Sequence, residues 1–266
     1  MLIERYKTVV STQVRGHELG RAGAARAVVV ADEQTGGRGR LSRRWESPPG
    51  SGIYFSILSR PALPSRSVHL VNIAAALAVA EAVQELSGIS LMLKWPNDLL
   101  RTAPSENGEG EDAGTGAGAG KVCGILSESV FSGIKLDYCV TGIGVNLRTP
   151  KGEQAGGAHH PQLKGAAWLD CDDWGLPNPG DAIVSATVRS FFAIIDGMER
   201  HGTSGIIETY RRKCASIGRI VTATTGDESV TGLCTGIGSD GELILDTPLG
   251  ERAFNVADVV HARLGA

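Results

Sequence analysis

The 266-residue chain has no basic excess, no CxxC pair, no long uninterrupted apolar run and no internal repeat. Each absence excludes something. With a formal net charge of −3, bulk charge does not mark a protein built to hold nucleic acid, although a local basic patch remains compatible with it. The five cysteines, Cys123, Cys139, Cys171, Cys214 and Cys234, are odd in number and scattered. They read as reduced, buried thiols of a cytosolic protein rather than a disulfide framework. No apolar run reaches the roughly 18 residues of a membrane span. The opening MLIERYKTVVSTQ lacks the apolar region of a signal peptide. His159 and His160 are adjacent in a Gly/Pro-rich stretch without spaced Cys, Asp or Glu partners, which suits a loop better than a metal site.

What remains is an ordinary globular composition, 42% hydrophobic and 21% charged, long enough for one large domain or one large and one small. The first half alternates strand and helix patterns. Residues 27–34 and 52–59 read as strands. Ser65 or Ser67 is placed to cap a helix through residues 68–88, with Val68, Val71, Leu77 and Val83 near helical spacing and Gly88 as its stop. Residues 91–98 read as a strand broken by Pro96. Residues 121–130 and 136–147 read as two further strands joined around Ser132 and Gly133. The pattern predicts an α+β fold with a mixed sheet flanked by helices.

Residues 101–120 are acidic, then nearly pure Gly and Ala, and too poor in apolar surface to offset their ordering entropy. They read as a mobile insert between strands. Residues 150–165 are a second irregular region. An amphipathic helix follows over 180–202, with Ile183, Val184, Val188, Phe191, Phe192, Ile195 and Met198 inward, then a shorter helix near 203–213. From residue 217 the chain becomes short strands between Gly/Asp turns, the texture of a small SH3-like barrel. The expected division is 1–216 for the main domain and 217–266 for the small one.

Two phosphate-loop look-alikes fail. Residues 114–121 lack the first Walker glycine and carry Val122 where Ser or Thr belongs, and GIGSDG at 236–241 is followed by a strand rather than a helix, so it reads as a hairpin turn.

Four segments carry chemistry. Gly37-Arg38-Gly39-Arg40 lies between two strands; glycines let the backbone wrap a ligand, and arginines supply fixed charged forks, so the segment reads as an anion clamp. A solvated basic loop or an RNA contact fits the same residues. Lys94-Trp95-Pro96-Asn97-Asp98 places a lysine and an aspartate around a stiff pair at a strand end. Lys121-Val122-Cys123-Gly124 opens a strand with a lysine, and Gly124 allows close approach. Gly142-Ile143-Gly144-Val145-Asn146 ends an apolar strand in an amide.

In this order, preceded by Ser11-Thr12-Gln13 and with Gln34 opening the Gly-Arg segment, these motifs resemble the biotin–protein ligase family over about residues 8–147. The resemblance implies a class II aminoacyl-tRNA synthetase-like, biotin/lipoate ligase fold with a small C-terminal β domain. It implies adenylation of biotin with ATP and Mg²⁺, then transfer to the biotin carboxyl carrier protein of acetyl-CoA carboxylase, in the cytoplasm. By that resemblance Lys121, Arg38 and Arg40 are catalytic. Ser11, Thr12, Gln34, Gly37, Arg38, Lys121 and Gly124 bind biotin, and Arg40, Trp45, Lys94, Asn97, Asp98 and Asn146 bind the nucleotide. No protein metal site is implied, although Asp98 stands where it would help with the metal or the incoming amine.

The chain departs from the family in having Gln13 for the usual asparagine and Leu41-Ser42 after the second arginine. A lipoate–protein ligase and a non-catalytic sensor of biotin or its adenylate are the alternatives. Because the Ser-Thr motif starts near Met1, no helix-turn-helix is expected and no operator DNA binding. No membrane partner is expected. Core strand edges can pair into a homodimer, which nothing in the sequence requires.

Overall fold

The structure is a computed structural model that describes residues 1–102, 120–150, 165–255 and 257–261. Most of the Gly/Ala-rich insert, with the Walker look-alike, lies outside the described residues, as do His159 and His160.

Among the described residues, seven strands form the main sheet: β1 (Leu2–Val9), β2 (Ala27–Gln34), β3 (Gly52–Ser59), β4 (Met92–Lys94), β5 (Asp98–Arg101), β6 (Gly120–Ser132) and β7 (Lys135–Asn146). Their spatial order is β1-β2-β3-β7-β6-β5-β4. Only β1 and β2 pair in parallel; the remaining neighbours are antiparallel, so the sheet is mixed. Strand β3 is buried along its whole length, as its apolar run GIYFSILS requires of a central strand with both faces covered. The segment read as one strand broken by Pro96 is instead a tight hairpin, with β4 and β5 pairing across a cis Trp95–Pro96 peptide.

Helix α1 (Thr12–Arg21) lies against one face of the sheet. Its contact depends on two glycines one turn apart. A Cβ on Gly16 would stand 2.7 Å from Val140, and one on Gly20 would stand 2.6 Å from the Tyr138 ring. Helix α2 (Leu70–Ser87) covers the other face and packs in turn against α3 (Pro179–His201). Because α2 is enclosed between sheet and helix, it is apolar nearly all round. The segment Ser65–Ser87 is therefore long and apolar enough to cross a membrane, yet 72% of its apolar window is buried inside the fold.

Gly88 ends α2 in the left-handed region (φ 74°), where a side chain would be strained. The cap expected from Ser65 or Ser67 is not made. The two residues sit in a separate 3₁₀ turn, the Ser65 hydroxyl donates to the Ile134 carbonyl, and α2 starts after His69 without a side-chain cap. Helix α3 does receive one, since the Asn178 side chain accepts the Asp181 amide, with Pro179 in the first turn. All seven residues read as inward on α3 are buried.

After α4 (Ser204–Lys213) come β8 (Ile220–Thr225), β9 (Glu228–Ile237), β10 (Leu243–Thr247), β11 (Gly250–Phe254) and β12 (Asp258–His261). They form one antiparallel sheet in the order β11-β10-β9-β8-β12, and the ladder among the described residues does not join its two outer strands. The glycine-rich 236–241 segment is the β9–β10 hairpin connection. This sheet shares the main apolar core through Val221, Cys234, Ile237, Leu243 and Leu245. It is also pinned by the Trp95 indole, whose Nε1 donates to the Gly241 carbonyl at 2.9 Å.

Candidate functional site

The ends of β2, β5, β6 and β7, the start of α1, the loop after β2 and strand β12 enclose one cleft of about 450 Å³. Segments separated by more than a hundred residues meet there because β6 and β7 form a hairpin in the middle of the sheet, with Gly124 opposite Gly144 and Leu126 opposite Gly142.

Part of the cleft wall is polar and buried. Ser11, Thr12 and Gln13 are each under 5% exposed. The Gln34 Oε1 accepts from the Thr12 amide at 2.9 Å and from the Thr12 hydroxyl at 3.1 Å, and Thr12 Oγ1 lies 2.8 Å from Ser56 Oγ. Thr12 therefore spends its donor internally and keeps acceptor capacity, while its main effect is to fix the Gln34 amide. Gln13 donates to the Leu126 carbonyl at 3.1 Å, tying the start of α1 to β6.

Cations line the same cleft. Lys121 Nζ forms an ion pair with Asp98 Oδ1 at 2.6 Å. The start of β6 is locked in place by Lys121 N donating to the Gly165 carbonyl and Ala167 N donating to the Lys121 carbonyl. Lys94 faces Asp98 across the β4–β5 pair, and burial pulls its ammonium below the ordinary lysine value, against the attraction of Asp98. Burial is also the main influence on Arg40 and lowers it, opposed by Asp258 and Asp98; an arginine so lowered still carries its charge. Cys123, buried next to Lys121, is pushed well up by desolvation and is not a thiolate nucleophile.

Trp45 lies in the cleft on a floor made of glycine. A Cβ at Gly124 would meet its ring at 2.5 Å, and one at Gly144 would meet it at 2.6 Å. The Lys121 ammonium stands 5.0 Å from the ring centroid. Gly37 is equally constrained, since a Cβ there would stand 2.7 Å from the Trp45 carbonyl. Asn146 uses its Nδ2 on the carbonyls of Lys121 and Ala167, at 3.2 and 3.0 Å, which leaves Oδ1 as an acceptor. Asn97 is chiefly structural: its side chain donates to the Ile125 carbonyl, and its own carbonyl accepts the Ile125 amide.

Every residue given a catalytic or binding role from the sequence lines this cleft except Gly37, which borders it beneath Trp45. Sequence reasoning missed Asp258. Its carboxylate pairs with Arg43 and lies 3.8 Å from Arg40, whose Nη1 also donates to the Ala257 carbonyl at 3.0 Å. A single aspartate more than two hundred residues downstream carries no local signal of this contact. Among the described residues, no three His, Cys, Asp or Glu cluster as a metal centre.

Comparison with known proteins agrees with this geometry. Residues 9–146 match the model of the biotin/lipoate A/B protein ligase family, and residues 216–262 match the biotin protein ligase C-terminal domain. The chain is 30% identical over 250 residues to the bifunctional ligase/repressor BirA of Bacillus subtilis, covering 94% of this chain and 70% of that protein. It is 29% identical to the biotin–[acetyl-CoA-carboxylase] ligase of Paracoccus denitrificans, covering 94% and 96%. In fold it resembles the biotin protein ligase of Aquifex aeolicus solved with biotin and ATP, with a TM-score of 0.74, 24% identity, and 98% and 99% of the two chains covered. A cleft assembled from these motifs in this order, on this sheet, places the chain in the biotin/lipoate A/B protein ligase family.

Proposed function

We propose that the chain is an ATP-dependent biotin–protein ligase, which converts biotin to biotinyl-5′-AMP and transfers the acyl group to a lysine of the biotin carboxyl carrier protein of acetyl-CoA carboxylase. One observation carries the reading. A buried polar group (Ser11, Thr12, Gln34) and a set of cations (Arg38, Arg40, Lys94, Lys121) line a single cleft. That layout suits an uncharged polar ring joined by an apolar chain to a carboxylate.

The buried polar wall favours a ureido ring over a dithiolane. Burying the Gln34 Nε2 donor and the Ser11 hydroxyl against an apolar ring would leave them unpaired, at a cost of about 1–3 kcal/mol each. Arg38, Arg40 and Lys121 lower the repulsion between the biotin carboxylate and the triphosphate. A carboxylate oxygen bonds to the α-phosphorus, the bond to the bridging oxygen breaks, and pyrophosphate leaves. The Asn146 Oδ1 suits the exocyclic amine of adenine. Mg²⁺ would be held by the ATP phosphates with Asp98 as a protein oxygen, and would supply charge neutralisation. The loop carrying Arg38 to Trp45 keeps water from the mixed anhydride. The carrier's amine then bonds to the acyl carbon, loses a proton, and AMP leaves.

Division into a catalytic unit over 1–216 and a C-terminal unit over 217–266 follows the two sheets. Five free, buried cysteines fit a reducing compartment such as the cytoplasm. A homodimer would use β1, an outer strand with Leu2 and Ile3 exposed. The test of the function is the mass of a carrier domain incubated with the protein and ATP. Gain of biotin but not of lipoate supports the reading. Gain of lipoate alone moves the chain to lipoate ligation, and gain of neither with retained biotin binding makes it a sensor.

A further inference from the structure

We infer that Glu128 is a positioning residue for the Arg38 guanidinium, a role that rests on the ligase reading above. Glu128 lies on β6, seven residues beyond Lys121, with its backbone paired to Val140 of β7. It is thus carried by a strand of the β6–β7 hairpin in the middle of the sheet. Arg38 sits on a loop between two glycines, and its side chain is about half exposed. The Glu128 Oε2 lies 3.5 Å from Arg38 Nη2 and accepts from His17 Nε2 at 2.7 Å.

His17 is the less exposed partner and belongs to α1, with its ring tilted against Tyr138 at 5.7 Å. It holds the carboxylate from the helix side. Of the two other arginines on the same side cleft, Arg21 and Arg60, the latter is paired with Asp137. Arg38 borders both this side cleft and the main cleft. Engaging one terminal nitrogen leaves the rest of the five-donor fork to face the main cleft. An arginine on a glycine-flanked loop would otherwise lose its rotamer freedom on meeting an anion. Held beforehand, it loses less, and the anion binds more tightly.

The experiment is a double-mutant cycle read by calorimetric titration with biotin on the full chain, Glu128→Gln, Arg38→Ala and the double variant, with melting temperatures to confirm folding. Titration needs no turnover, so a slow Arg38→Ala variant remains measurable. Glu128→Gln is expected to weaken biotin about fivefold when Arg38 is present, and by less than about 1.5-fold in the Arg38→Ala background. His17→Leu is expected to weaken it by a smaller factor in the same direction. An equal factor in both backgrounds, or no change with Arg38 present, overturns the inference, while biotin binding by the unaltered chain leaves the ligase reading to be decided by carrier biotinylation. Absence of biotin binding by the unaltered chain overturns both.

Discussion

The Lys121 ammonium and the Asp98 carboxylate are joined at 2.6 Å across β5 and β6, next to the glycine floor beneath Trp45. The pair fixes a cation on a flexible four-carbon stem inside the cleft, which the proposed reading makes the meeting point of carboxylate and phosphate. Asp98→Asn keeps the shape and removes the charge that holds Lys121. We expect the adenylation rate to fall about tenfold, less than the 10²–10³ expected on losing Lys121 itself. Single-turnover formation of the adenylate measures it, and an unchanged rate would remove Asp98 from the account.

Asp258 brings the C-terminal sheet into the site through Arg40 and Arg43. Asp258→Asn should loosen the loop without touching the main sheet. The predicted signs are a rise of about threefold to fivefold in the KM for ATP and faster tryptic cleavage among Arg38, Arg40, Arg43 and Arg44. Unchanged cleavage would mean the loop is held by other contacts.

Gly20 lets α1 sit on Tyr138, and the ring leaves no room for a Cβ. Gly20→Ala should destabilise the fold by about 1–3 kcal/mol through overpacking, despite the better helix propensity of alanine. Denaturant unfolding reads the change, and equal or greater stability would show that Tyr138 yields freely.

His69 stands before α2, half-buried, with its Nε2 lacking a hydrogen-bond partner among the described residues. Burial pulls its imidazole below the ordinary value of 6.5, against Asp240 and Glu242. Between the lowered folded value and 6.5 the unfolded chain binds more protons, so stability increases with pH across that window. Acidification from about pH 7.5 should lower the urea midpoint progressively below the unfolded value, and His69→Leu should flatten that part of the profile. Parallel profiles for the two proteins would contradict it.

Much of this fold is written locally. Strands β2 and β3 are apolar along most of their length because they are central and covered on both faces, so their ends stand out against polar flanks. Strand β1 is an outer strand with five of eight residues exposed, and its mixed pattern gives no comparable signal. Helix α1 was equally hidden, since it packs through Gly16 and Gly20 rather than an apolar stripe. Ser65 matched a cap by spacing, but tertiary contact with Ile134 took its hydroxyl.

The site's cations and amides were legible because ligand chemistry demands those residue types in loops and at strand ends. Their supports, Ser56, Glu128 and Asp258, were not, because each acts through a partner distant in sequence.

The most direct test of the central claim is pyrophosphate release from ATP, measured with biotin, with lipoate and with neither, on the full chain and on Lys121→Ala. The account predicts release with biotin alone, falling by about 10²–10³ in the variant. Release that ignores biotin, or that survives loss of Lys121, would contradict it.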